Sequence, residues 1–350
     1  MDSKNVVTEV NSINLSHLPD GNFRTFIIAE IGINHEGSFE NCKNLVYEAA
    51  KAGANAIKLQ TIDPELNYSA GTESYSLFKR AQLSRKETES IFKLARELNL
   101  EALTTVGDLN TLEWVKNLDP FCYKISSGLL SCTPLIKEIA KLNKLILISN
   151  GMSDDLPLEE AIKTVKFTGN KKIAILQCTS LYPTPPADLC LRQINRIKYK
   201  FGFPVGFSDH SSDPMVASYA VYAGAEIIET HLTFDSTRNS FDHKVSLDPI
   251  NFKKMVSEVR KAEIISGKDT VLKRNNSIKK VEKSMSRYLA TIRPIDAGEI
   301  LNKTNVGFLR FPNGKGIMPA NLFEDVFGQV AVKNLSAFSP LKKEDFYIEE

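Results

Sequence analysis

The chain has 350 residues, of which 42% are hydrophobic and 25% charged, and a formal net charge of +2. That length and apolar fraction suit one large domain plus a small one, and the near-neutral balance gives no single-sign field of the kind that nucleic acid or a membrane surface would need. No stretch approaches the roughly 20 apolar residues of a membrane span, the N-terminus lacks the apolar core of a signal peptide, and the five cysteines are scattered with no CxxC pair, so reduced thiols and a cytoplasmic location are expected.

Residues 1–24 carry no periodic pattern and read as an N-terminal extension. From Phe26 onward short apolar runs alternate with amphipathic stretches. The runs are FIIAEI (26–31), AIKLQ (56–60), EALTT (101–105), CYKIS (122–126), LILIS (145–149), IAILQC (173–178), VGFS (205–208) and EIIETH (226–231). Segments 41–53, 86–100 and 213–225 place apolar residues three and four apart, as helices do. Eight β-α units, closed by a helix near Pro249–Ile265, predict an α/β TIM (β/α)8 barrel over residues 25–267. Residues 268–285 are polar and basic and read as a linker. From 286 to 350 the runs RYLATIRPI, VGFLRF and VFGQVAVKNL, separated by Gly, Pro and Asn turns, predict a small β-rich domain.

In such a barrel the chemistry sits at the C-terminal ends of the strands. Those ends carry Glu30, Lys58 and Gln60, Thr105, Lys124 with Ser127, Ser149, Ser180 with Tyr182, Ser208 to His210, and Glu229 with His231. Residues two apart on a strand share a face, so Lys58 joins Gln60 and Glu229 joins His231. An unpaired ammonium inside an apolar run is costly, so Lys58 and Lys124 point to a bound anion, a phosphate or carboxylate, with serine and threonine hydroxyls completing the cradle. His210 and His231 are either satisfied rim histidines or the ligands of a shared octahedral ion such as Mn²⁺ or Mg²⁺, with Asp209 and Asp242 orienting water or the rings. His17 and His243 have no comparable setting.

The segments IAEIGINHEGS (28–38), AGANAIKLQT (52–61), YKISSG (123–128), SNGMS (149–153), SLYPTPP (180–186), GFSDHSSD (206–213) and ETHLT (229–233) together resemble the sialic acid synthase family, and residues 286–350 resemble its C-terminal antifreeze-like (SAF) domain. The resemblance implies a transferase that condenses phosphoenolpyruvate with the open-chain aldehyde of an amino sugar such as N-acetylmannosamine, giving a nine-carbon 2-keto-3-deoxy acid and phosphate. It assigns Lys58, Thr105, Lys124, Ser127, Ser149, Ser180 and Ser208 to phosphoenolpyruvate, with Ser180 standing where the family has asparagine. It assigns Gln60, Tyr182 and Asp242 to the sugar, Glu30 and Asp242 to catalysis, and His210 and His231 to a divalent ion, Mn²⁺ or Mg²⁺. It also implies a domain-exchanged homodimer.

Two positions depart from the family pattern. Leu129, followed by Leu130, stands where a carboxylate is usual, and Phe311 in LRFPNGKGI (309–317) stands where an arginine reaches the sugar. Arg310 is expected on the opposite strand face, and Lys315 is the nearest stand-in. These departures leave the acceptor open between N-acetylmannosamine and diacetamido sugars, which lead to legionaminic or pseudaminic acid. They also motivate a reading of another class, a catalytically weakened protein that binds phosphoenolpyruvate or sugar.

Overall fold

The computed structural model describes residues 24–267, 275–312 and 317–347, and the chain divides into two compact units after Gly267. In the first unit β1 (Phe26–Gly32), β2 (Ala56–Thr61), β3 (Glu101–Val106), β4 (Cys122–Ile125), β5 (Leu145–Ser149), β6 (Ile173–Cys178), β7 (Val205–Asp209) and β8 (Ile227–His231) form a closed parallel barrel in sequence order. The (β/α)8 fold read from the sequence is therefore the fold observed.

Alternation along each strand divides its residues between two cores. Ile27, Ala29 and Ile31 of β1, Ile146 and Ile148 of β5, and Phe207 of β7 face outward into the helix layer. Ile28, Ala56, Leu103, Cys122, Leu147 and Leu176 fill the lower lumen. A barrel of this size is packed rather than hollow, so only its upper layer is free to hold polar groups.

The helices are fixed by local chemistry. Helix α1 (Phe39–Ala52) begins at Ser38, whose side chain accepts from the Asn41 N–H, and ends at Gly53, whose left-handed φ of 89° lets its N–H close on Ala49 and Ala50. Two short helices, α2 (Pro64–Asn67) and α3 (Glu73–Ala81), interrupt the expected simple connection from β2. The Asp63 and Thr72 side chains cap them. Helix α4 (Arg85–Glu97) starts in a reciprocal Ser84–Glu87 capping box. The layer continues with α5 (Leu109–Val115), α6 (Thr133–Lys141), α7 (Asp155–Phe167), α8 (Gln193–Phe201), α9 (Val216–Tyr222) and α10 (Pro249–Ser266).

In the second unit, part of the segment read as a linker is a helix, α11 (Asn276–Met285), capped by the Asn275 side chain. Strands β9 (Tyr288–Thr291) and β10 (Val306–Leu309) pair antiparallel, and helix α12 (Phe323–Val326) follows. The run VFGQVAVKNL forms isolated bridges, Ile300 to Val330 and Ile295 to Leu335, instead of a strand. Because β10 ends at Leu309, strand alternation does not fix the direction of Arg310, contrary to expectation; Lys315 and His17 lie outside the described residues. Among the described residues no helix is long and apolar enough to cross a membrane.

Candidate active site

Above the apolar lumen every strand contributes one polar inward residue: Glu30, Lys58, Thr105, Lys124, Ser149, Cys178, Ser208 and Glu229. Register places them side by side, with Glu30 beside both Lys58 and His231, Thr105 beside Lys124, and Ser208 beside Glu229. All eight are buried.

This layer is an ion-pair network. The Lys58 ammonium contacts Glu30 and lies 3.5 Å from Glu229, and Lys124 lies 3.8 Å from Glu229. Ser208 Oγ donates to Glu229 Oε1 at 2.9 Å. Burial alone would raise the Glu229 pKa, but Lys124 and Lys58 outweigh it and hold the carboxyl at about 2. Burial brings the Lys58 ammonium down to about 8 despite the attraction of Glu229. Glu229 is thus the hub on which both lysines lean, a role the sequence reading did not give it. Its place two residues before His231 was legible, but its contact with β2 and β4 exists only once the barrel closes.

Beyond the ion pair of Glu30 with Lys58, some polar atoms of this layer lack a hydrogen bond. Ser149 Oγ is buried with no hydrogen bond, and neither oxygen of Glu30 accepts a well-formed one. Ser127 Oγ accepts the Gly151 N–H at 2.7 Å. A Cβ at Gly151 would lie 2.4 Å from Ser180 Oγ, 2.8 Å from Cys178 Sγ and 2.9 Å from Ser127 Oγ, so glycine keeps this corner open. Orphaned buried hydroxyls are costly unless a ligand satisfies them.

His210 and His231 stand above the layer with ring centroids 5.3 Å apart. His210 Nδ1 lies 3.1 Å from the Thr179 carbonyl, which assigns its proton there and leaves Nε2 as the lone pair, 3.2 Å from the Tyr182 hydroxyl. His231 Nδ1 is buried without a hydrogen bond, 3.7 Å from Asp242 Oδ2. Burial lowers the pKa of His210 to about 4 and pushes His231 well down, so both rings are neutral and able to ligate. Among the described residues no group of three or more His, Cys, Asp or Glu is arranged to hold a metal, so this pair offers two nitrogens and leaves other positions to oxygen ligands. The donor set fits a divalent ion. Asp242, whose carboxyl burial raises to about 6, overlooks the pair.

Lys58, Gln60, Thr105, Lys124, Ser127, Ser149, Ser180, Tyr182, Ser208, His210 and His231 all line one cavity of about 460 Å³. Asp209 departs from expectation: alternation turns it out of the lumen, and its carboxylate accepts the Ser211 N–H at 2.8 Å. His243 is a satisfied histidine, bonded to Thr233 Oγ1 at 2.7 Å and to Glu36 at 3.0 Å. The cavity also has an apolar wall of Ile62, Tyr68, Phe78, Leu129 and Met152, part of it supplied by the unforeseen α2 and α3 segment.

A (β/α)8 barrel whose C-terminal mouth combines two buried lysines, an orphaned serine hydroxyl and a facing pair of neutral imidazoles is an enzyme scaffold. The chain belongs to the NeuB family, which residues 45–270 match, while residues 286–346 match the SAF domain. It is 32% identical over 327 residues to the N,N'-diacetyllegionaminic acid synthase of Campylobacter jejuni, covering 89% of this chain and 97% of that protein. It is also 32% identical over 344 residues to a pseudaminic acid synthase of C. jejuni, covering 93% and 99%. The crystal structure of N-acetylneuraminic acid synthetase from Leptospira borgpetersenii, in complex with citrate, superposes with a TM-score of 0.71 at 31% identity, covering 75% of this chain and 92% of that one.

Proposed function

We propose that the protein is a synthase that condenses phosphoenolpyruvate with the aldehyde of an N-acyl amino sugar, giving a nine-carbon 2-keto-3-deoxy acid and phosphate. The observation that carries this reading is the buried layer in which Lys58 and Lys124 face the orphaned Ser149 hydroxyl beneath His210 and His231.

In this reading Lys58, Lys124 and Thr105 hold the anionic groups of phosphoenolpyruvate, Ser127, Ser149 and Ser180 donate to its oxygens, and Ser208, whose proton goes to Glu229, lines the same phosphoenolpyruvate pocket. Gln60, Tyr182 and Asp242 orient the sugar. Glu30, paired with the Lys58 ammonium, accepts or returns a proton at a carboxylate oxygen. His210 and His231 would hold a divalent ion, Mn²⁺ or Mg²⁺, which when bound supplies Lewis-acid polarisation of the aldehyde. The reading also makes the protein a cytoplasmic homodimer in which the small domain of one subunit serves the partner's barrel. Sedimentation velocity at micromolar concentration should then give a dimer, and a monomer would remove that part.

The apolar wall favours a specific second reading of the acceptor. Tyr68 stacks on Phe78 at 5.1 Å, and Leu129 fills a place where a carboxylate would face the cavity. Such a wall suits a diacetamido sugar, whose extra acyl methyl it can cover. The test is to incubate the protein with Mn²⁺, phosphoenolpyruvate and a panel of mono- and diacetamido six-carbon sugars while following phosphate release. Faster release with diacetamido sugars selects that acceptor class. No release with any sugar, while phosphoenolpyruvate still binds, favours the binding protein instead.

Two further outcomes are expected. Gly151→Ala should weaken phosphoenolpyruvate binding at least about ten-fold by calorimetry, because its Cβ meets three side-chain atoms closer than 3.0 Å; unchanged affinity would move the phosphate elsewhere. Phosphoenolpyruvate affinity should also fall as pH rises through about 8, where Lys58 loses its proton. The sign follows from the ligand's charge: the dianionic phosphoryl group, already ionised above a pKa of about 6, is held by the ammonium and not by the amine. A flat affinity from pH 7 to 9.5 would remove Lys58 from the anion site.

A further inference from the structure

The segment Asn34–Gly37 takes no part in the chemistry above, yet its Asn34 and Glu36 side chains converge on one partner, the loop that joins His231 to Pro249. Asn34 Oδ1 accepts the Asp242 N–H at 3.2 Å, while its amide donates to the Leu232 carbonyl at 3.0 Å and to Ser246 Oγ at 2.8 Å. Ser246 Oγ donates in turn to the Asp242 carbonyl at 2.6 Å. Glu36 grips the residue that follows: its Oε1 accepts from His243 Nε2 at 3.0 Å, and both its oxygens accept from Arg238, Nη2 at 2.8 Å from Oε2.

The motif is itself wedged in place. Glu36 has φ of 55° and Gly37 φ of 79°, and a Cβ on Gly37 would lie 2.2 Å from the Arg80 carbonyl oxygen. The Arg80 guanidinium sits 5.2 Å from the Phe241 ring, and that ring meets His243 edge-on. Asp242 is therefore held at its own backbone and through both neighbours, with its carboxylate 3.7 Å from His231.

We infer that Asn34, Glu36 and His243 are positioning residues, a latch that sets the Asp242 carboxylate over the mouth of the barrel; this rests on the proposed synthase reading for its effect on rate. A reacting group misplaced by about 1 Å can cost on the order of 10²-fold in rate. Glu36→Ala should lower kcat about ten-fold and raise the acceptor KM, with the phosphoenolpyruvate KM changed less than about two-fold, and Glu36→Gln should recover most of the loss by still accepting from His243.

A double-mutant cycle separates this role from a general structural one. In an Asp242→Asn background, Glu36→Ala should have little further effect on kcat, because both act through one carboxylate. Amide hydrogen exchange supplies an arm independent of turnover: Glu36→Ala should speed exchange across 238–246 and leave β4 to β6 unchanged. Additive losses in the cycle, or unchanged exchange in 238–246, would overturn the latch. An inactive wild-type protein would count against the synthase reading alone, since the exchange arm still decides the latch.

Discussion

His231→Ala is expected to lower metal-dependent turnover by about 10³-fold or more, the equivalent of about 4 kcal/mol of lost stabilisation at the aldehyde oxygen. The ring is buried, its Nδ1 lacks any hydrogen bond, and its neighbour His210 stands 5.3 Å away. Removing it leaves the ion-pair layer below intact, so the fold and phosphoenolpyruvate binding should survive while Mn²⁺ affinity collapses. Calorimetric titration of Mn²⁺ alongside the rate separates the two. Normal turnover with normal Mn²⁺ binding would place the metal elsewhere; loss of thermal stability without loss of Mn²⁺ affinity would make His231 a packing residue.

Lys124→Met should have an effect of similar size on a different property. Glu229 would lose one of the two ammonium groups that hold its carboxyl ionised, leaving Lys58 at 3.5 Å and the Ser208 hydroxyl. Breaking a buried charge network on one side costs about 3–5 kcal/mol, and the remaining partners put this case at the lower end. Phosphoenolpyruvate affinity should fall at least about 100-fold. Adding Glu229→Gln to Lys124→Met should restore stability, because no unbalanced carboxylate remains, yet leave phosphoenolpyruvate binding lost. Recovery of both together would mean that Lys124 serves only to neutralise Glu229.

Much of the architecture was legible because parallel strands buried on both faces read as short apolar runs, and LILIS or IAILQC allows few other readings. The lysines were legible for the same reason, since a charge inside such a run demands a partner. That both share Glu229, beside the pairing of Lys58 with Glu30, was not, because β2, β4 and β8 are far apart in sequence and meet only through closure. Helices α2 and α3 escape the sequence reading because, at four and nine residues, they are too short to stand out as a periodic stretch. Helix α11 was missed because its ten residues sit in a basic segment whose charge masks the spacing of Ile278, Val281 and Met285. Asp209 was misassigned through its neighbour: His210 follows the last strand residue, and Asp209 belongs to the outward face.

The condensation itself is tested most directly with phosphoenolpyruvate labelled with ¹⁸O at the bridging C2–O–P oxygen. Attack of its C3 on the aldehyde and addition of water at C2 form a tetrahedral centre, and breaking the C–O bond there expels the bridging oxygen with phosphate. The expected result is ¹⁸O in the released phosphate, together with a product carrying the acceptor's carbons plus three. Label retained in pyruvate, or phosphate released without a longer acid, would contradict it.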